Sequence, residues 1–223
     1  MGTHFKALAA QTNPDRLALF PLAGSILLPG TDLPLNVFEP RYLNMVDDAL
    51  KAERLIGMIQ PRSGDDLYEI GGLGRILQFA EMEDGRYMIV LRGLKRFRLV
   101  GEAEAVTPYR QGLVSFEGFE SDVDIHEDND SPEALKSGQS ERGALTMAMK
   151  AYAKTLGVEL DWEALAQIPL DRLVDQAAMI SPFKPDDKQS LLEARTHEER
   201  RHLLIGLMHL YADPLDGEGK TVQ

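Results

Sequence analysis

Residues 19–42 read LFPLAGSILLPGTDLPLNVFEPRY, and this stretch decides how the N-terminal half of the chain folds. It contains two apolar runs, residues 25–28 and 33–38, separated by the tetrapeptide Pro-Gly-Thr-Asp. Short apolar runs bounded by Pro and Gly are typical of buried strands joined by a tight connection. From Leu43 the apolar residues recur at helical spacing, and Pro40 suits the first helical position because it has no N–H to leave unpaired. The stretch therefore predicts two strands followed by a helix.

Further strand signals follow this helix. Residues 55–59 form a compact apolar run, and the pair Asp84-Gly85 lies between two more runs, which favours a hairpin with a type I′ turn. Residues 87–91 are apolar at consecutive positions, so we expect that strand to be covered on both faces. Residues 106–116 supply the last strand pattern. Six or so short strands with one early helix predict a compact, partly closed β structure.

An acidic segment separates the β-rich half from the rest of the chain. No Lys or Arg occurs between Gln111 and Leu135, and residues 122–130 contain four Asp and one Glu. Such a segment would repel itself if it were compacted, which favours a solvated linker between the two halves. A recognition site for basic partners is the alternative interpretation.

Helical periodicity dominates the remainder of the chain. Gly157 and Pro182 each follow a stretch of helical apolar periodicity, and we expect each to end a helix. Thr196 and Glu199 have the spacing of a capping box. We expect these helices to bury their stripes against one another in a small C-terminal bundle. The predicted helices lie at about residues 145–156, 165–168, 170–180, 185–192 and 196–211.

The motifs of the opening stretch resemble those of a known family. F-P-L-x5-L-P-G at residues 20–30 and P-L-x-V-F-E-P-R-Y at residues 34–42 are similar to the start of the N-terminal, substrate-binding domain of Lon-type ATP-dependent proteases. The motif F-E-P-R-Y resembles the corresponding motif of the stand-alone bacterial members of this family. The similarity continues through residues 71–78 and 90–99. The resemblance implies an α+β fold, in which a β-rich PUA-like pseudo-barrel with one early helix is followed by a C-terminal helical bundle.

The resemblance and the composition together predict how the chain is divided. Residues 16–212 together would correspond to one Lon N-terminal domain. The predicted segments are a flexible N-terminus at residues 1–15, a β-rich PUA-like subdomain at 16–118, an acidic linker at 119–132, a helical subdomain at 133–212 and a flexible tail at 213–223.

The composition excludes several classes of protein. A net charge of −12 and a pI near 4.9 argue against non-specific binding to nucleic acid or to anionic membranes. The absence of Cys excludes disulfides, thiol catalysis and cysteine-ligated metals. No apolar run approaches the roughly 20 residues that a membrane span requires, and the N-terminus lacks a secretory apolar region, so we expect a cytoplasmic protein.

The apparent motifs for catalysis or cofactor binding are incomplete or have the wrong spacing. The tripeptide Gly-Lys-Thr at residues 219–221 resembles the end of a phosphate-binding loop, but Pro214 occupies the position of the first glycine. His197 and His202 are five residues apart, so they would point about 140° apart on a helix and could not bind one metal ion. The resemblance implies that the ATPase module and the Ser–Lys protease module of full-length Lon lie beyond this region. We therefore expect no catalytic residue, cofactor or metal, and no enzymatic activity.

The candidate binding residues are basic, aromatic or methionine side chains. Four cations surround Gly93 on a predicted strand, where they would form either a solvated strand face or a basic lip that orients a peptide or an acidic partner. Two residues of the early helix could contribute to the same region, or the tyrosine could pack on the barrel while the arginine pairs with a carboxylate. Three methionines could form an adaptable apolar surface or fill the core. The candidates are Arg92, Lys95, Arg96 and Arg98 in the cluster, Arg41 and Tyr42 on the helix, and Met58, Met82 and Met88.

The expected function follows from the resemblance. It implies a non-catalytic module that recognises unfolded or specific polypeptides, as an adaptor in protein quality control that could act with a Lon-type protease. An exposed sheet edge, or an apolar groove between barrel and bundle, would capture an extended peptide. Two alternatives stay open: a PUA-like domain that binds RNA through residues 92–98, against which the acidic charge argues, and a small-molecule sensor with a pocket in the β half.

Overall fold

A computed structural model of the chain describes residues 2–126 and 139–212. The chain divides into two units and passes between them more than once. The first unit contains Met1–Asp128 and Asp175–Glu193, and the second contains Asn129–Val174 and Ala194–Gln223. The segment predicted as one helical subdomain is therefore shared between the two units, because residues 175–193 group with the strands.

The strands of the first unit form one sheet that closes on itself. Within residues 2–126 the strand order is β2-β5-β4-β3-β1-β6, and an additional pairing of β5 with β6 completes a ring of five strands with β2 outside it. β1 and β3 are parallel, whereas the other pairings are antiparallel. The predicted α+β fold with a partly closed β barrel is confirmed. The strands are β1 (Arg16–Pro21), β2 (Asp32–Val37), β3 (Leu55–Ile59), β4 (Ile70–Glu81), β5 (Tyr87–Ala103) and β6 (Gln111–Ser115).

Helix α2, Pro40–Lys51, follows β2 as the opening stretch predicts. Pro40 lies in the first turn of α2, where a missing N–H removes no intrahelical hydrogen bond. The apolar face of α2 packs against Leu35 and Ile89 of the sheet in one of the two core clusters of the barrel. The residues that α2 buries are Tyr42, Met45, Val46 and Ala49.

The apolar run at residues 25–28 is not a strand, contrary to the prediction. Its last three residues are buried, but the run takes no part in the sheet formed by the described residues. It packs instead against β4 and β5 at Gly72 and Gly93, where an added Cβ atom would lie 2.1 Å from the carbonyl oxygens of Leu27 and Leu28, respectively. The run is apolar because the barrel covers it, and not because it pairs with a strand.

The predicted hairpin joins β4 to β5, but its turn is not of type I′. A type I′ turn needs a positive φ at both central residues, whereas Gly85 has a φ of +81° and Asp84 does not have a positive φ. The Gly85 N–H donates instead to the Met82 carbonyl oxygen at 2.9 Å.

The expectation that residues 87–91 are covered on both faces is wrong. Ile89 and Leu91 are buried, but Met88, which lies nearer to the hairpin turn, is exposed. One face of this part of β5 therefore meets the core and the other meets solvent.

Two segments predicted to be flexible or solvated contain helices. Residues 1–15 include helix α1, Gly2–Gln11, in which Ala9 is fully buried. The predicted acidic linker begins with a 3-10 helix, Glu120–His126, in which Asp122 is buried. Residues 127–132 of that linker and the predicted tail at 213–223, with its Gly-Lys-Thr tripeptide, lie outside the described residues.

The later helices agree with the periodicity of the sequence. The Glu199 N–H donates a hydrogen bond to Thr196 Oγ1 at 3.0 Å, which confirms the predicted cap of the last helix. Within the two described ranges, no helix is long and apolar enough to cross a membrane. These helices are α3 (Gln139–Leu156), α4 (Trp162–Ala166), α5 (Leu170–Ile180), α6 (Pro185–Glu193) and α7 (His197–Ala212).

Helices α3 and α7 form the core of the second unit. The two helices are in contact, and the rings of Tyr152 and Tyr211 meet edge to face at a centroid distance of 6.3 Å. One turn further, Thr155 Oγ1 donates a hydrogen bond to the Ala212 carbonyl oxygen at 3.1 Å.

Candidate functional site: an apolar sheet surface

The solvent-facing side of β2, β5 and β4 carries a set of mainly apolar residues. Pro34 lies opposite Val90 and Asn36 opposite Met88 in the pairing of β2 with β5, and Met88 lies opposite Ala80 of β4. Residues directly opposite each other in a sheet point to the same face. We name this surface the outer face; it consists of Pro34, Asn36, Phe38, Gln78, Ala80, Met82, Met88 and Val90.

The largest apolar side chains of the outer face are exposed. Phe38 is 63% exposed, Met82 44% and Met88 39%. Phe38 directly follows β2 and Met82 directly follows β4, and we assign both to the outer face because they lie two residues beyond Asn36 and Ala80. Contiguous exposed apolar surface on a globular domain marks an interaction site more often than isolated apolar residues do.

Paired charges border the outer face at both ends. Arg92 and Asp32 lie opposite each other in the register of β5 and β2, and Arg92 Nη2 donates to Asp32 Oδ2 at 2.7 Å. At the hairpin turn, Arg86 Nε donates to Asp84 Oδ2 at 2.7 Å. This hydrogen bond lowers the pKa of Asp84. Arg92 and Arg86, at the two ends of the outer face, are therefore each compensated by a carboxylate.

Strand β2 is the edge of the sheet, since it pairs only with β5 among the described strands. Pro34 lies in the middle of β2 and has no N–H to offer to an incoming strand. Proline on an edge strand is one of the devices that prevent addition of further strands. The side chains of the outer face are thus better suited than the strand edge to contact a polypeptide.

The structure does not bring the four predicted cations together as a basic lip. Lys95 and Arg96 are each only 4% exposed. Lys95 Nζ donates to Asn13 Oδ1 at 2.7 Å, and burial lowers the pKa of Lys95. Arg98 is exposed and pairs with Glu69 at 2.9 Å. Arg92, as described above, pairs with a carboxylate of β2.

Arg41 and Tyr42 adopt the structural alternative that the sequence left open. Tyr42 is buried, and its ring centroid lies 4.3 Å from that of Phe20. Burial raises the pKa of the Tyr42 hydroxyl. Arg41 pairs with Glu39 at 2.8 Å, and its guanidinium carbon lies 4.6 Å from the centre of the Tyr42 ring. Arg41 thus holds a carboxylate while Tyr42 packs in the core.

The methionines divide between the two predicted roles. Met58 is buried in the core, whereas Met82 and Met88 lie on the outer face. Sequence reasoning did not identify the outer face as a unit. Two features of the sequence could have identified the outer face. Pro34 alternates with the buried Leu35 along β2, and the hairpin turn fixes the register of β4 and β5.

His197 and His202 lie five residues apart on the last helix and point to different sides of it. His197 Nδ1 lies 3.5 Å from Asp171 Oδ2, and this interaction with His197 lowers the pKa of Asp171. His202 is exposed on another side of α7. Across the described part of the chain, no group of three His, Asp or Glu side chains is placed to hold a metal ion.

Comparison with known proteins identifies the family. The family model for the ATP-dependent protease La (LON) substrate-binding domain matches residues 16–209. Lon protease 2 of Sorangium cellulosum is 30% identical over 209 residues, which is 87% of this chain and 24% of that protease. Lon protease 2 of Myxococcus xanthus is 28% identical over 211 residues, again 24% of its length. The chain therefore spans about a quarter of the length of these relatives.

Solved structures agree with this assignment. The Lon N-terminal domain protein from Xanthomonas campestris is 26% identical with a TM-score of 0.55, and the alignment covers 86% of this chain and 97% of that one. The N-terminal domain of the Mycobacterium avium complex Lon protease shares the fold, with 19% identity, a TM-score of 0.59, and coverage of 87% and 98%. The chain belongs to the family of Lon substrate-binding domains.

Proposed function

We propose that this chain is a non-catalytic module that binds unfolded polypeptides through the outer face and acts as an adaptor in proteolysis. The observation that carries the proposal is the exposure of Phe38, Met82 and Met88 on one face of the sheet. Membership of the substrate-binding family supports it. The relatives are named Lon proteases, which supports a role beside such a protease.

The chemistry of the outer face suits a partner of variable sequence. Methionine side chains are flexible and polarisable, so Met82 and Met88 can adapt to apolar residues of different shape. Successive rows of the outer face are two residues apart, about 7 Å along the strands, which equals the spacing of alternate side chains in an extended peptide. Binding through so few side chains would be weak and tolerant of sequence.

A binding measurement with matched variants tests this proposal. The probe is a fluorescein-labelled polypeptide that is kept unfolded by reduction and alkylation, and the readout is fluorescence anisotropy. We expect the double variant Met82→Glu/Met88→Glu to bind about tenfold more weakly than the wild type, because two charges would be desolvated at the contact. Met147→Glu is the control, since Met147 is a 72% exposed methionine of α3, which is not part of the sheet.

The adaptor role has its own assay. Degradation of the same labelled polypeptide by a Lon-type protease is followed with and without this chain. We expect the wild type and Met147→Glu to accelerate degradation, and the double variant to have no effect. Absence of binding by the wild type, or an equal loss in Met147→Glu, would contradict the outer face as the binding surface.

The RNA-binding alternative depends on the cations of residues 92–98, and their positions in the structure do not favour it. Lys95 and Arg96 are buried, and Arg92 and Arg98 are paired with carboxylates. A phosphate backbone needs cations that can reach it, so we do not extend the proposal to RNA.

A further inference from the structure

The methionines of the described residues differ sharply in their access to solvent. Met82 and Met88 are exposed on the outer face, and Met147 is exposed on α3. The sequence contains no Cys, so methionine is its only sulfur-containing residue. A soluble oxidant therefore reaches the sulfur atoms of Met82 and Met88 more readily than those of the core. The buried methionines are Met45, Met58, Met149 and Met208.

Met82 and Met88 are diagonal neighbours on the outer face. Met88 lies opposite Ala80 in the register of β4 and β5, and Met82 follows Ala80 by two residues. The Met82 N–H donates a hydrogen bond to the Arg86 carbonyl oxygen at 2.8 Å, so the pairing of the two segments continues up to Met82. Diagonal neighbours on one face have Cβ atoms roughly 7–8 Å apart or less, which lets long side chains touch. The two thioethers therefore belong to one patch of surface.

The apolar character of this patch depends on the oxidation state of the two sulfur atoms. Phe38, Met82 and Met88 are the largest exposed apolar side chains of the outer face. Oxidation converts a flexible apolar thioether into a polar sulfoxide. An apolar segment that covered a sulfoxide would remove its oxygen from water without offering a hydrogen-bond donor, which costs free energy.

The reaction requires only a peroxide. The thioether sulfur attacks one oxygen of hydrogen peroxide, so that an S–O bond forms while the O–O bond breaks. The proton of the attacked oxygen passes to the departing hydroxide, which leaves as water. The sulfur loses two electrons and the peroxide gains them. Two thiols reverse the change in a methionine sulfoxide reductase, and they are oxidised to a disulfide while the sulfoxide oxygen leaves as water.

From these observations we propose that Met82 and Met88 form a peroxide-sensitive pair that regulates the outer face. The thioether form binds an apolar segment of a polypeptide, and the sulfoxide form releases it. This inference rests on the proposed binding of unfolded polypeptides by the outer face. Oxidation of Met147 has no such effect, because α3 is not part of the sheet.

Oxidation of the full chain by hydrogen peroxide tests the inference. Peptide mass spectrometry should show Met82 and Met88 oxidised about tenfold faster than the buried Met45 and Met58. Fluorescence anisotropy with the labelled unfolded polypeptide should show binding about tenfold weaker after oxidation than before it. Methionine sulfoxide reductases specific for the two sulfoxide epimers should restore the affinity. Circular dichroism checks that the oxidised protein stays folded.

Two leucine variants assign the effect to the outer face. Met82→Leu/Met88→Leu keeps apolar side chains of similar volume but removes both sulfur atoms. Each protein is compared with itself before and after peroxide. The affinity of the double variant should change less than about twofold, whereas Met147→Leu should lose about tenfold, as the wild type does.

The outcomes separate this inference from the proposed function. Absence of binding by the untreated wild type would contradict the proposed function and this inference with it. Binding that survives oxidation of both Met82 and Met88 would overturn the inference alone. Two further results would do the same: an equal loss of affinity in Met82→Leu/Met88→Leu, or oxidation of Met82 and Met88 no faster than that of Met45.

Discussion

Arg96 and Asp122 form an ion pair in the first unit, with Arg96 Nη2 and Asp122 Oδ1 2.7 Å apart and both side chains at most 4% exposed. The same carboxylate accepts hydrogen bonds from the Arg96 Nε and backbone N–H, each at 2.9 Å. Arg96 Nη1 donates to the Leu192 carbonyl oxygen at 3.0 Å, and the Phe119 ring centre lies 5.0 Å from the guanidinium carbon. One arginine of β5 therefore holds both the 3-10 helix and α6 on the barrel.

Removal of the charge at Asp122 should destabilise the first unit strongly. Asp122→Asn keeps the size of the side chain but leaves the buried Arg96 cation without a compensating charge. Loss of one partner of a buried pair costs about 3–5 kcal/mol. We expect this decrease in the free energy of unfolding, measured by chemical denaturation. Glu117→Gln, an exposed change just before the 3-10 helix, should alter it by less than about 0.5 kcal/mol. A loss below about 1 kcal/mol in Asp122→Asn would contradict the prediction.

The close approach of residues 27–28 to the barrel predicts unequal effects of two glycine substitutions in β5. In Gly93→Ala the new Cβ atom would lie 2.1 Å from the Leu28 carbonyl oxygen, whereas Gly101→Ala meets nothing within 4 Å. Backbone atoms cannot move aside cheaply, so Gly93→Ala should cost about 1–3 kcal/mol or more in the free energy of unfolding. Gly101→Ala should be within about 0.5 kcal/mol of the wild type. Similar losses in thermal or chemical unfolding of both variants would show that the backbone relaxes around residue 93.

Local chemistry made part of this fold predictable from the sequence. The hairpin at Asp84-Gly85 and the start of α2 at Pro40 depend on conformational preferences of a few neighbouring residues, and both were predicted at the correct positions. The number of strand signals predicted a β-rich half, although β1 (Arg16–Pro21), which pairs with β3 and β6, was not among the predicted strands. The last helices followed from their apolar periodicity and their caps.

The misplaced elements depend on contacts that are distant in sequence. Asp122 was predicted to be solvated because its neighbours are acidic, but its burial depends on Arg96 of another strand. Residues 25–28 resemble a strand in composition because they are buried against the barrel. They can approach it closely because Gly72 and Gly93 have no Cβ atoms at the points of contact. The exposure of Met88 could not be predicted either, because it requires knowing which face of β5 no other element covers.

A buried pair of amides fixes α6 to the strands and gives a further prediction. Gln60 Nε2 donates to Gln189 Oε1 at 3.1 Å, and Gln189 Nε2 donates to the Ile70 carbonyl oxygen at 3.0 Å. Gln189→Leu removes both interactions and leaves buried polar groups unsatisfied, so it should lower the free energy of unfolding by about 1–3 kcal/mol. Ser190→Ala loses only an exposed hydrogen bond to the Asp186 carbonyl oxygen, and it should be nearly neutral in the same denaturation experiment. Equal stability of the two variants would contradict a structural role for the amide pair.

Tyr109 gives a pH-dependent prediction. Burial, followed by the hydrogen bond from its hydroxyl to Asp48 Oδ2 at 2.9 Å, raises its pKa from 10.0 to about 12. Because the pKa in the folded state is raised, the stabilisation is complete below pH 10 and is lost as the pH rises through 12. Between these values the free energy of unfolding should fall by up to about 1.4 kcal/mol per pH unit. In Tyr109→Phe this contribution should be absent, and the tyrosinate absorbance of the folded protein should lack its latest titration step. If stability in the wild type and Tyr109→Phe depends on pH in the same way over that interval, a raised pKa of the Tyr109 hydroxyl does not contribute to the stability of the fold.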